Sequence, residues 1–101
     1  MEINKTGNRI IILADEVMDI QNSAEIRDAL LQAINENNVI EVSNQKILEH
    51  DLTYLQLLVS ASLYAEACKK EFYITGCSSS LIEELKAFNL SKSITNSAEV
   101  K

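Results

Sequence analysis

The chain has 101 residues, 47% of them apolar, enough for one domain around a single core and too few for two. Fifteen acidic against nine basic side chains give a formal charge of −6, and the only adjacent basic pair is Lys69 and Lys70, so the potential disfavours nucleic acid and anionic lipid surfaces as partners. No apolar run approaches the ~20 residues of a membrane helix, Met1 to Asn8 lacks the basic-then-apolar layout of a signal peptide, and a cytoplasmic domain spanning residues 1–101 without membrane insertion is expected.

Glu2 to Asn4 begins the chain, and Lys5-Thr6-Gly7-Asn8 carries two residues that tolerate positive φ before the apolar run Ile10 to Leu13, which together read as a hairpin. Three β-branched residues in succession fit a strand covered on both faces. Asn22 stands three residues before Glu25, a capping-box spacing, and Ile26, Leu30, Ala33 and Ile34 follow at helical intervals, predicting a helix over Ser23 to Glu36. Asn37-Asn38 supplies a turn and Val39 to Val42 a short strand.

Ser43 to His50 reads as a largely polar loop, with Asp51 capping a long helix over Leu52 to Lys70. Its apolar positions wrap most of the circumference, as in a centrally packed helix, and Lys69-Lys70 suit the negative end of its dipole. Phe72 to Thr75 form a further strand, Gly76 a tight turn, and Ser80 with Glu83 a capping box ahead of Leu81, Ile82, Leu85 and Phe88. Residues 91–101 are polar and read as a short helix or a frayed end. The order hairpin, helix, strand, helix, strand, helix demands an α/β sandwich: a mixed four-stranded sheet, its N-terminal hairpin followed by parallel strands, with helices packed on it.

Asp51-Leu52-Thr53-Tyr54-Leu55-Gln56-Leu57-Leu58-Val59-Ser60-Ala61, with Glu71 to Gly76 and Ser79-Ser80-Leu81 behind it, resembles the second half of STAS domains, the family of anti-sigma factor antagonists. Ile11 to Val17 and Asn22 to Glu25 resemble the same family's second strand and first-helix entry, so the likeness spans nearly the whole chain. The Leu-Gln-Leu-Leu run is similar to stand-alone STAS proteins found beside chemotaxis components. The resemblance implies a STAS-like sandwich that acts without catalysis and without a cofactor, docking onto a protein partner. In members that switch by phosphorylation, the Asp is followed by Ser or Thr, a second small hydroxyl residue and Gly; here those places hold Leu52, Thr53 and Tyr54.

Thr53, in the first turn of the predicted helix, is the candidate phosphoacceptor, because free N–H groups and the helix dipole favour an added phosphate there; its plainer role is that of a helix-start residue. Of the pair flanking it, Tyr54 is expected to dock and Leu52 to pack. Asp15, Glu16 and Asp19 form a solvated acidic edge, with no loop of the calcium-binding pattern. The resemblance places Asp19 beside the partner surface, giving Asp19, Asp51, Leu52, Thr53 and Tyr54 as candidate partner-binding residues. His50 is the only histidine, so multi-histidine metal sites are ruled out, and Cys68 and Cys77 read as reduced apolar fillers.

Two functional classes remain open from the residues. One is an anti-anti-sigma or chemotaxis-linked adaptor, monomeric or weakly dimeric, whose partner is a GHKL-type kinase, an anti-sigma factor or a chemotaxis signalling protein. The other is a STAS subunit binding the ATPase of an ABC-type lipid transporter. A third class, a small-ligand module, is demanded by no residue.

Overall fold

The computed structural model describes residues 1–88, so the helix or frayed end expected over 91–101 lies outside the described residues. Strand β1 (Glu2–Thr6) pairs antiparallel with β2 (Arg9–Leu13), from Glu2 against Leu13 to Thr6 against Arg9, two residues longer than the hairpin arm expected. Only Gly7 and Asn8 turn the chain, and Gly7 alone has positive φ, 62°, the type II′ arrangement whose twist suits the flanking strands.

A two-residue strand, β3 (Val17–Met18), and a 3₁₀ turn, Ile20–Asn22, lead into α1 (Ser23–Glu36). Helix α1 has the predicted bounds and buries the predicted stripe, Ile26, Leu30, Ala33 and Ile34. Its expected cap does not form: the Asn22 side chain turns back on the 3₁₀ turn, accepting from the Asp19 N–H at 3.0 Å and donating to the Val17 carbonyl at 3.0 Å. The capping box belongs to Asp19 and Asn22 instead.

Strand β4 (Val39–Ser43) follows, then the short β5 (Glu49–His50), α2 (Leu52–Ala67), β6 (Glu71–Thr75) and α3 (Ser79–Lys86). The main sheet has the order β1-β2-β4-β6, with β2, β4 and β6 parallel and β1 antiparallel at the edge. This is the mixed sheet expected. The second ladder, β3 with β5, has no counterpart in the sequence reading, because two residues carry no periodicity.

The pleat puts Ile10, Ile40 and Phe72 in one cross-strand row and Ile12, Val42 and Ile74 in the next, and all six are buried in one core with the stripes of the three helices. On the opposite face Ile11 and Leu13 are half-buried, and Glu41 accepts from Thr75 Oγ1 at 2.8 Å and from Arg9 at 3.4 Å. Helix α2 is one-sided where burial round most of its circumference was expected: Tyr54, Leu55, Leu58, Ala61, Ser62 and Ala65 face inward, while Leu52 and Leu63 are exposed. It also ends three residues earlier than expected, because Lys69 adopts φ 61°, which no helix continues. Lys70 then reaches the Asn37 carbonyl at 2.7 Å. The cap of α3 is Ser78, whose hydroxyl accepts from the Leu81 N–H at 3.2 Å, in place of the Ser80–Glu83 box.

Two left-handed positions differ in how well they suit their residues. Gly76, at φ 67°, has the Gln45 side chain 2.6 Å and the Gln45 backbone nitrogen 3.0 Å from where a Cβ would stand, so it needs glycine for both conformation and space. Lys69 bears a side chain in the same region at a cost of about 1–2 kcal/mol. In urea denaturation, Gly76→Ala is therefore expected to lose about 1–3 kcal/mol, and Lys69→Gly to gain about 1 kcal/mol.

Candidate functional site

The candidate partner-binding residues gather where β3 and the 3₁₀ turn meet β5 and the start of α2. Strands β3 and β5 are parallel, Val17 against Glu49 and Met18 against His50. The Leu48 and Glu49 N–H groups donate to the Glu16 carbonyl at 2.7 and 3.0 Å, and the Asp51 N–H to the Met18 carbonyl at 3.4 Å. This ladder holds the segment after β4 against the segment after β2.

Asp51 joins the two segments a second time. Its Oδ1 accepts from the Tyr54 N–H at 3.2 Å, capping α2, and its Oδ2 accepts from the Ile20 N–H at 3.1 Å. A carboxylate at this end of a 16-residue helix is further favoured by the dipole. Asp19 plays the matching part for the 3₁₀ turn, accepting from the Gln21 N–H at 3.0 Å. Both acids thus have local structural work, and Asp19 remains half-exposed.

The two residues on either side of Thr53 exchange their expected places. Tyr54, expected to present an aromatic ring to a partner, is only 1% exposed, and Leu52, expected to pack, is 58% exposed. Helix phase decides this: Tyr54 leads the buried stripe continued by Leu55 and Leu58, whereas Leu52 falls on the outer side. Buried phenols need a partner, and the Tyr54 hydroxyl donates to Asn44 Oδ1 at 2.5 Å. Asn44 is itself buried, and its amide donates to the Val42 and Thr75 carbonyls, both at 3.1 Å. Burial, and secondarily the charge of a Cys77 thiolate, push the Tyr54 phenol well above its ordinary range.

Thr53 is half-buried, and its hydroxyl makes no hydrogen bond among the described residues. Around Leu52 the exposed apolar side chains are Ile20 (67%), Leu48 (76%) and Val17, all on the two segments that the ladder and Asp51 hold together. Ile20 and Leu48 were not singled out by the sequence. Ile20 stands alone between Asp19 and Gln21, and Leu48 belongs to a two-residue apolar step, Ile47-Leu48, too short to show a period.

His50 Nε2 lies 2.7 Å from Glu84 Oε1 and its ring is edge-on to Tyr54, centroids 6.4 Å apart, so α3 is tied to the same edge. Among the described residues Cys77 makes its hydrogen-bond contacts with the Asn44 amide at 4.0 Å and the Thr75 carbonyl at 3.8 Å, and none with His50. Burial pushes its thiol up to about 11, away from the thiolate a nucleophile needs. Among the described residues, no three His, Cys, Asp or Glu side chains cluster as a metal site would require, and no helix is long and apolar enough to cross a membrane.

No protein-family model matches the chain, and no curated protein matches it in sequence. Solved structures do match. SpoIIAA, a Bacillus cell fate determinant, in its phosphorylated form is 15% identical with a TM-score of 0.84, covering 98% of this chain and 92% of that one. The unphosphorylated form of the anti-sigma factor antagonist SpoIIAA is 14% identical, TM-score 0.82, covering 98% and 89%. An RsbS variant from Moorella thermoacetica is 18% identical, TM-score 0.78, covering 95% and 84%. The chain therefore has the fold of the anti-sigma factor antagonists, the STAS-like sandwich.

Removing the Tyr54 hydroxyl leaves a buried Asn44 acceptor without its donor, so Tyr54→Phe is expected to cost about 1–3 kcal/mol in chemical denaturation. Cys77 gives a pH signature. The unfolded chain releases this proton near 9.0 and the folded chain only near 11, so between these values the unfolded state binds fewer protons and stability falls as pH rises. Cys77→Ala is expected to flatten that part of a stability–pH curve.

Proposed function

We propose that this chain is a non-enzymatic regulatory interaction module, an anti-anti-sigma or chemotaxis-linked STAS adaptor, that binds a kinase or other signalling partner through the start of α2. The observation that carries this reading is Leu52, exposed at the first position of α2, with Leu48 exposed on the segment leading into it and Ile20 exposed on the segment that Asp51 pins alongside. Three large apolar side chains held in fixed relation at one edge form a surface that gains from being covered, at about 25 cal/mol per Å². The SpoIIAA and RsbS likenesses support the class of partner, an anti-sigma kinase or related signalling protein, and the Leu55-Gln56-Leu57-Leu58 run supports a chemotaxis-linked version of it.

On this reading Asp51 positions the surface, Asp19 adds charge beside it, Tyr54 supports it from beneath, and Leu52 does the docking assigned from sequence to Tyr54. Thr53 is proposed as the phosphoacceptor. Its hydroxyl is free of partners among the described residues and stands in the first turn of α2, where phosphate charge is favoured by the dipole and, beside an apolar docking surface, opposes binding. The module is proposed to work in the cytoplasm.

The test is isothermal titration of the purified chain with a GHKL-type anti-sigma kinase or chemotaxis kinase encoded beside it. Leu52→Asp is expected to weaken the complex at least about tenfold, because it places a charge in a desolvated contact, while leaving the melting temperature unchanged. Unaltered affinity in Leu52→Asp and in Ile20→Asp would refute docking at this edge. Intact-mass analysis after incubation with kinase and ATP is expected to show a phosphate that Thr53→Ala removes; undiminished labelling of Thr53→Ala refutes the phosphoacceptor.

A further inference from the structure

The outer side of the helix layer carries a cavity of about 280 Å³ that the docking edge does not use. Helices α1 and α2 each return from one end of parallel strands to the other, so they run in the same direction and leave a trough between them. Its walls are apolar but for Ser60: Leu30, Leu31 and Ile34 on α1, Leu57 and Ala61 on α2. At one end stands Arg27, the one charged residue among the described residues that line it. At the other end Tyr64 donates its hydroxyl to Asn35 Oδ1 at 2.6 Å, a bridge that closes the trough between the helices. Arg27 to Ile34 is two helical turns, about 10 Å.

We propose that this trough binds a single-chain amphiphile with one anionic head group, the tail lying between α1 and α2 and the head on Arg27. The charge argument is local. In a chain of net charge −6, Arg27 is the only basic residue of either helix, and its one ion pair among the described residues is a 3.5 Å contact with adjacent Asp28, both side chains largely exposed. Such a contact is worth little in water, which leaves the guanidinium free to fork a carboxylate or phosphate. The length argument excludes a long occupant: a partner helix continuing along the trough meets the Tyr64–Asn35 bridge. The volume lies near the lower end of small-ligand cavities, about 300–1,000 Å³, matching one tail of medium length. Leu31, 41% exposed on the rim, is the apolar surface that the tail would cover.

The test is a titration of decanoate, below its critical micelle concentration, into ¹⁵N-labelled protein, with decanol as the neutral analogue. Saturable shifts confined to amides of α1 and α2 are expected, with decanoate binding about tenfold tighter than decanol. Arg27→Ala is expected to abolish that preference and leave decanol binding unchanged. Leu31→Glu, at an exposed position that spares the core, weakens decanoate by like-charge repulsion. Decyl phosphate against decanoate then identifies the preferred head. Absence of saturable shifts, equal affinity for decanoate and decanol, or shifts centred on residues 48–52 would each overturn the site. So would an amphipathic peptide binding where decanoate does not. Because these residues are separate from Leu52, the result is independent of the docking reading.

Discussion

Asp51 is the residue on which this edge of the molecule depends. One carboxylate oxygen caps α2 and the other holds the Ile20 N–H, so the start of the helix and the entry to α1 share a single acceptor group. These segments come from separate crossovers and are tied by no long strand, since the β3–β5 ladder is only two residues on each side. A neutral side chain of the same shape could accept one of these bonds well. A carboxylate accepts both, with charge-assisted strength at each, and the helix dipole adds to its preference for this position.

Beneath that carboxylate lies the Tyr54–Asn44 pair. Asn44 uses its amide on the carbonyls at the ends of β4 and β6 and its oxygen on the Tyr54 hydroxyl, so the sheet's edge, the following loop and the helix share one buried polar network. A buried network of this kind is stabilising only when every member is paired, which makes the local geometry discrete and not adjustable by degrees. The aromatic ring fills and fixes the space under the helix start. A fixed frame under an exposed Leu52 suits a surface whose apolar character is permanent.

The sheet and its helices were legible in the sequence because each rests on repeated signals. Ile26, Leu30, Ala33 and Ile34 fix the inner face of α1 four times over, and β-branched runs mark β2 and β4 without ambiguity. Burial at the candidate site was less legible. Leu52 and Tyr54 were given opposite roles because their phase on α2 turns on the whole inward stripe, while the apolar residues scattered round the helix suggested burial round most of its circumference. The Asn22 cap failed for a related reason: Asp19 stands three residues earlier and competes successfully for the same side chain. Contacts between segments ten or more residues apart, such as Ile20 with Asp51, 31 apart, or Tyr54 with Asn44, 10 apart, have no local signature at all.

The most direct measurement of the account is amide hydrogen exchange at Ile20. Its side chain is 67% exposed, and without the Asp51 contact its N–H would face water. The account predicts clear protection of that single amide in the native protein, lost in Asp51→Ala while the amides of β2 and β4 keep theirs. An Ile20 amide that exchanges at the free-peptide rate in the unaltered chain would contradict it, because the two halves of the proposed docking edge would then not be held together.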